Sequence, residues 1–367
     1  MRQKTLFAII SIFLLLCTAQ ICFALKIEKG PYLQDVALTA ITVCWETDTP
    51  APGKVYYAPA LNKKQKFAPI EAAEKSRHHC TRLEKLNPSN IYTYWVEADG
   101  IKSKVYNFHT AKQKGEDSRL VVYGDSRSNE IVHRSVVQGI IAAKPDFVIN
   151  TGDIVNKGEE LPDWDMFFRV AGELMHTTPY YVALGNHEQN NENYFHYLAF
   201  PGNERWYSFD YAGSHFIVLD SNMPNCMDPE QMKWLKEDLK DHQDADFIFV
   251  TFHSPPYSSG KHGSDLNIRK LYSEIFEKNG VDVVFNGHNH DYERLVVGKV
   301  IYVVSGGGGA TLYEVGRNEW TQYAASVYHF TVVNISGGKL TFEAKRPNGK
   351  TFDSFTLTSK RARQHSE

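Results

Sequence analysis

The sequence predicts an α/β protein in two parts, a small β-sandwich over residues 25–112 and a larger α/β region over residues 118–360. Three observations lead there. From Ile27 to about Thr110 apolar residues alternate with polar ones in short runs. From Arg119 the apolar runs become continuous and are separated by helix-like segments. Five of those continuous runs end in a short motif built from glycine, aspartate, asparagine or histidine.

The chain has 367 residues, 42% apolar and 23% charged, enough to bury a sizeable core and hold two domains. Net charge is −3 and no lysine or arginine run is long enough for a nucleic-acid or polybasic membrane surface, so the expected partner is a small molecule. Residues 1–24, MRQKTLFAIISIFLLLCTAQICFA, join a basic start to an apolar run and end in small or mid-sized residues at Ala24. That is the pattern of a secretory signal peptide and places the protein outside the cytoplasm, secreted or periplasmic, with no membrane attachment once the leader is cut. The alternative is that the same stretch is kept as an anchor. Nothing in the sequence sets an oligomeric state.

In the first part the strands are ITVCWET, GKVYYAP, HHCTRL, IYTYWVEADG and KVYNFHT. Trp45 is of the type buried in sandwiches, and Tyr92, following the turn Leu86-Asn87-Pro88, is placed for a tyrosine corner. This part resembles a fibronectin type III domain. Of five cysteines, Cys17 and Cys22 belong to the leader, leaving Cys44, Cys80 and Cys226, which permit one bridge at most. Cys44 and Cys80 fall on separate predicted strands; pairing is the alternative, but with no register known they are read as small unpaired strand residues. AKQKGEDS, 111–118, is the linker.

In the second part the runs are LVVY, FVI, YVAL, FIFV and VDVVF, and helices are expected over EIVHRSVVQGIIAA, PEQMKWLKEDLKDH and LNIRKLYSEIFEKN. Continuous apolar strands are buried on both faces, as in sheets covered by helices. Residues 328–357 form a meander with turns at Gly337-Gly338 and Asn348-Gly349. The four glycines at 306–309 suit a loop that other backbone approaches closely.

LVVY leads to GDSR, FVINT to GDIVN, YVAL to GNHE, FIFVT to FHSPP and VVFN to GHNH. Ligands in open α/β folds collect at the carboxyl ends of strands. Five strand ends here carry Asp125, Asp153, Asn186, His253, and the pair His288 and His290. Carboxylates, imidazoles and one amide form a mixed oxygen and nitrogen set suited to zinc, iron or manganese and poorly suited to calcium. Six ligands suit two ions, and since alternate side chains of an extended segment diverge, His288 and His290 would each address a different one.

The order GD, GD, GNHE, H, GHxH resembles the calcineurin-like metallophosphoesterase superfamily. PYLQ, VCWET, GNHE, FHSPPYSSG and GHNHDYER are more specifically similar to the purple acid phosphatases. The resemblance implies two sheets packed face to face with helices outside, an α/β/β/α domain behind the sandwich. It implies two divalent or mixed-valence transition-metal ions, one held by Asp125, Asp153 and His290 and the other by Asp153, Asn186, His253 and His288. It puts His187 and His262 against the substrate as catalytic residues, and implies hydrolysis of a small phosphate monoester by a metal-activated water. A phosphodiesterase or nucleotidase on the same core, or a surface binding protein with a weakened metal site, are the alternatives. The sequence departs from the resemblance at two positions. Asn156 stands where a purple acid phosphatase has the tyrosine that gives its colour, and Arg127 stands where other members place a histidine.

Overall fold

The structure, a computed structural model, describes residues 25–60 and 67–359. The expected leader over 1–24, and residue 360 at the expected end of the second part, lie outside the described residues.

Two sheets build the first part. One is β1 (Ile27–Ala37), β2 (Ala40–Ala51) and β5 (Ser76–Leu83) in that order. The other runs β4 (Ala68–Glu71), β3 (Gly53–Pro59), β6 (Ile91–Ala98) and β7 (Ile101–Lys102), with β8 (Tyr106–His109) also pairing β6. Alternation along β6 leaves Tyr92, Tyr94, Val96 and Ala98 buried and the residues between them half-exposed, the two-period signature of a strand with one wet face. Trp45 is fully buried, and the Asn87 amide donates to the Tyr92 hydroxyl at 2.8 Å, which forms the expected tyrosine corner. β1 also docks this part onto the next, where the Tyr32 hydroxyl donates to the Tyr197 carbonyl at 2.8 Å and the Val36 amide donates to the Tyr181 hydroxyl at 2.9 Å.

One expectation is corrected here. Cys44 and Cys80 are directly opposed in the β2–β5 register, Cα atoms 4.1 Å apart, and form a disulfide, while Cys226 is a buried free thiol. The strands were legible but their register was not, and register alone decides which residues face each other. The bridge closes a separation of 36 residues, so the double change Cys44→Ser, Cys80→Ser should cost about 2–4 kcal/mol by constraint of the unfolded chain. Urea unfolding midpoints of the two proteins measure it, and identical midpoints would show that the bridge contributes nothing.

The second part has a six-stranded and a seven-stranded sheet. The first is ordered β11 (Tyr180–Val182), β10 (Phe147–Asn150), β9 (Ser118–Tyr123), β19 (Phe330–Ser336), β20 (Lys339–Lys345), β21 (Thr351–Thr358). The second is ordered β12 (Tyr207–Tyr211), β13 (Ser214–Val218), β14 (Ile248–Thr251), β15 (Val283–Asn286), β17 (Val300–Ser305), β16 (Tyr292–Val297), β18 (Thr321–Ala325). Helices α1 (Glu130–Ala143), α4 (Pro229–Asp241) and α5 (Leu266–Asn279) lie where the sequence places them; α2 (Leu161–Met175) and α3 (Glu192–Tyr197) are additional.

Continuous apolar strands are explained by what covers each face. Phe249, Val283 and Phe285 join Phe147, Phe216 and Phe342 in the core between the sheets, with the Phe147 and Phe216 rings 5.2 Å apart. Their neighbours Ile248, Val250 and Val284 point the other way, into a separate cluster with Leu235 and Leu239 of α4 and Ile268 and Phe276 of α5. Both faces are therefore dry, as the sequence predicts. The β12–β13 hairpin, not anticipated, turns through Ala212 and Gly213, both at positive φ (53° and 90°), a two-residue turn matched to strand twist.

Candidate metal centre

β10 pairs in parallel with both β9 and β11, and β14 with β15, so within each sheet the chain leaves these strands at one edge. Every expected donor follows immediately. Asp125, Asp153 and His288 all have left-handed backbone, with φ of 54°, 57° and 69°. Such a conformation is uncommon outside glycine and persists where surroundings over-determine it, typically at functional sites. Glycines beside the donors leave room for the carboxylates: a Cβ on Gly185 would lie 2.2 Å from the Asp153 carboxylate, and one on Gly287 2.5 Å from that of Asp125.

All six expected ligands meet in one place. Asn186 Oδ1 is 3.0 Å from both His253 Nε2 and His288 Nδ1, and His253 Nε2 is 3.4 Å from Asp153 Oδ1. On the other side His290 Nε2 is 3.4 Å from Asp125 Oδ1, and donor atoms of Asp125, Asp153 and His290 lie within 4.8 Å of one another. Two donor groups result, sharing Asp153. The far nitrogens of His253 and His290 are fixed on backbone carbonyls, Nδ1 to Thr151 O at 2.9 Å and to Thr311 O at 2.8 Å, leaving Nε2 of each for the centre. That is the outer support a metal-binding imidazole needs.

Burial and charge act together on this set. Burial pushes the His288 imidazole down to about 3, helped by His253 and His262. For His253 burial acts downward too, but the Asp153 carboxylate beside it wins and holds it up at about 9. Burial alone would raise Asp153, yet His253 and His187 hold it well below the usual carboxylate range.

The two departures resolve differently. Asn156 hydrogen-bonds to none of the six donors: its Oδ1 accepts from the Ser128 hydroxyl at 2.5 Å and from Arg127 Nη1 at 3.5 Å, and its backbone carbonyl accepts from His187 Nδ1 at 2.6 Å. Arg127 reaches two of them, with Nε 3.3 Å from Asp153 Oδ2 and Nη2 3.4 Å from His290 Nε2. His187 turns its Nε2 to 3.8 Å from Asp153 Oδ2. The His262 ring lies 4.5 Å from His288 and 5.3 Å from Tyr313, and its backbone amide donates to Asn289 Oδ1 at 2.8 Å.

Three residues here are absent from the sequence reading. Glu188, fully buried, accepts from the amides of Asp153 (2.9 Å), Ile154 (2.9 Å) and Gly185 (2.7 Å), so one carboxylate clamps two donor loops. Glu293 accepts from both hydroxyls of Ser258 and Ser259 and from the Ser259 and Gly260 amides, which holds the loop carrying His262. Both acids sit inside quoted motifs, GNHE and GHNHDYER, where a sequence signal existed. Tyr313, whose ring stacks on His290 at 4.1 Å, lies in no motif. The glycines at 306–309 pack onto the GDS loop, Gly308 N donating to Gly124 O at 2.9 Å.

The calcineurin-like phosphoesterase family model matches residues 118–292, and the model of the purple acid phosphatase N-terminal domain matches residues 32–110. Purple acid phosphatase 21 of Arabidopsis thaliana is 30% identical over 235 residues, 59% of this chain and 53% of that protein. The probable inactive purple acid phosphatase 1 of the same plant is 27% identical over 351 residues, 76% of this chain and 57% of that protein. The chain thus spans about half the length of the curated relatives it matches. The solved purple acid phosphatase from yellow lupin (Lupinus luteus) seeds superposes with a TM-score of 0.79 at 21% identity, covering 89% of this chain and 74% of that one, and so shares the fold.

Proposed function

As this chain is a purple acid phosphatase-like member of the calcineurin-like metallophosphoesterase superfamily, we propose that it is an exported phosphatase hydrolysing small phosphate monoesters at a centre of two transition-metal ions. Asp125, Asp153 and His290 would hold one ion, Asp153, Asn186, His253 and His288 the other. The observation that supports this is the convergence of six donors from five strand ends around Asp153, with supported imidazoles and left-handed backbone at three of them. When bound, the ions supply Lewis acidity toward phosphoryl oxygens and a lowered pKa for water.

The chain's own residues bind the ester and move its proton. His187 donates Nδ1–H to the Asn156 carbonyl and so presents Nε2 to the centre. His262, on the loop fixed by Glu293, protonates the leaving oxygen; burial, with His290 and Lys261 nearby, lowers its pKa, so its acid form is favoured below neutral pH. Arg127, already oriented by Asp153, offers its remaining N–H groups to a phosphoryl oxygen. Export is part of the same proposal. The leader supports it, as does the Cys44–Cys80 bridge, which suits an oxidising compartment. The boundaries 25–112 and 118–360 are the proposed domain limits.

Elemental analysis beside turnover of a monoester and a diester tests the function. Two metal equivalents with monoester preference are expected; diester preference would move the chain to the phosphodiesterases, and no turnover at full metal content would make it a binding protein. Colour gives a separate test. With asparagine at 156, where no tyrosinate can form, the iron-loaded protein should lack an intense visible charge-transfer band. A violet band would overturn this, and its loss in Tyr313→Phe would name the tyrosinate.

A further inference from the structure

Lys261 and His262, both exposed, occupy the tip of one tight turn beside the metal centre. The Gly263 amide closes it on the Gly260 carbonyl at 3.0 Å, with Gly263 in left-handed backbone at φ 68°. The turn is fixed from both sides. Glu293 accepts the Gly260 amide at 3.2 Å, and Asn289, between the expected ligands His288 and His290, accepts the His262 amide at 2.8 Å. Tyr313 is held against the same turn, since its amide donates to the His290 carbonyl at 2.9 Å and the Gly316 amide to the Ser259 carbonyl at 3.0 Å. The His290 ring covers one face of the Tyr313 ring at 4.1 Å and 16° between planes. Lys261 Nζ stands 4.4 Å from the centre of the Tyr313 ring, over the face that His290 leaves open. His262 meets the same ring edge-on at 5.3 Å.

We propose that Lys261 over Tyr313 forms a subsite for the leaving group, selecting phosphate monoesters whose alcohol carries a second anionic group, a carboxylate or a further phosphate. This rests on the phosphatase function and on His262 as its proton donor. The oxygen that His262 protonates is the one that departs. The rest of the alcohol therefore lies on the His262 side of the centre, against the turn that also carries the ammonium. Lys261 is available to it. Among the described residues no carboxylate pairs with Lys261 Nζ. Glu293, the acid beneath the turn, is taken up by the Ser258 and Ser259 hydroxyls and by the Ser259 and Gly260 amides. The contact with Tyr313 is a cation–π contact, which at an exposed site is weak and does not hold the ammonium against an anion. Arg127 differs: it is already oriented by Asp153 at 3.3 Å and serves the transferred phosphoryl group, so the two cations address different parts of the ester.

Turnover of 3-phosphoglycerate and glycerol 3-phosphate by the full chain tests the subsite. Both esters expel a primary alkoxide, and they differ only in a carboxylate against a hydroxymethyl group. Wild type should favour the carboxylated ester in kcat/KM by about 10-fold, the size of one hydrogen bond between charged groups. Lys261→Ala should remove most of that preference by raising KM for 3-phosphoglycerate with little change in kcat, the mark of a lost binding contact. Lys261→Arg should retain the preference and Lys261→Glu should reverse it. Any effect of Lys261 on His262 falls on both esters and cancels in the ratio. Equal kcat/KM for the two esters in wild type would overturn the proposal, and so would a preference that survives Lys261→Ala intact; either result leaves the phosphatase function standing. Turnover of neither ester at full metal content would remove that function and the subsite with it. Lys261 is exposed, so its variants keep the fold.

Discussion

Asp153→Asn should reduce ester turnover by at least about 10²–10³-fold, the scale at which removing one preorganised electrostatic group acts, and should lower metal content more than Asp125→Asn does. The asymmetry comes from geometry. In the proposed arrangement Asp153 alone is shared, with Oδ1 3.4 Å from His253 Nε2 and a carboxylate oxygen within 4.8 Å of donor atoms of Asp125 and His290, while its Oδ2 is 3.3 Å from Arg127 Nε. Asp125 faces His290 at 3.4 Å and accepts the His288 amide at 2.9 Å, and takes part in one group. Asparagine keeps the shape of Asp153 and one oxygen but removes the charge that holds His253 and Arg127 in place. It leaves the Glu188 clamp on the Asp153 amide intact, so the loop should stay folded. Turnover rates and elemental analysis of the two purified variants decide the matter; comparable activity and metal retention in both would remove the shared role from Asp153.

His262→Ala should lose about 10²-fold on alkyl monoesters, within the range assigned to general acid catalysis, with a much smaller loss on a nitrophenyl phosphate. An alkoxide is strongly basic and needs a proton as it leaves, whereas a nitrophenolate is a stable anion and does not. The side chain sits beyond the strand that carries His253, where Pro255 and Pro256 fix the exit of the chain and Glu293 gathers Ser258, Ser259 and Gly260 into a turn. The His262 ring is tilted at 35° to His288, so it borders the donors and its removal should leave metal content unchanged. Equal losses on both esters would assign His262 to phosphate binding and give the proton to His187. Full activity on both would make it a bystander.

Much of this is legible in the sequence because it is written locally. A continuous apolar run, a glycine and then a carboxylate or imidazole specify a buried strand, a tight exit and a donor at its end, all within about six residues of chain. α1 and α5 are equally plain, as helix-like segments set between the continuous apolar runs. What stayed hidden depends on pairs far apart in sequence. Cys44 meets Cys80 through a register that alternation does not specify. Glu293 reaches back 34 residues to Ser259, and Arg127 meets His290 across 163. Lys261 reaches the Tyr313 ring only once its turn and the segment carrying Tyr313 are packed together. Periodicity and turn chemistry act between adjacent residues and can be read along the chain. Register and packing arise from side chains filling shared space, and that space exists only after the strands and helices have closed on it.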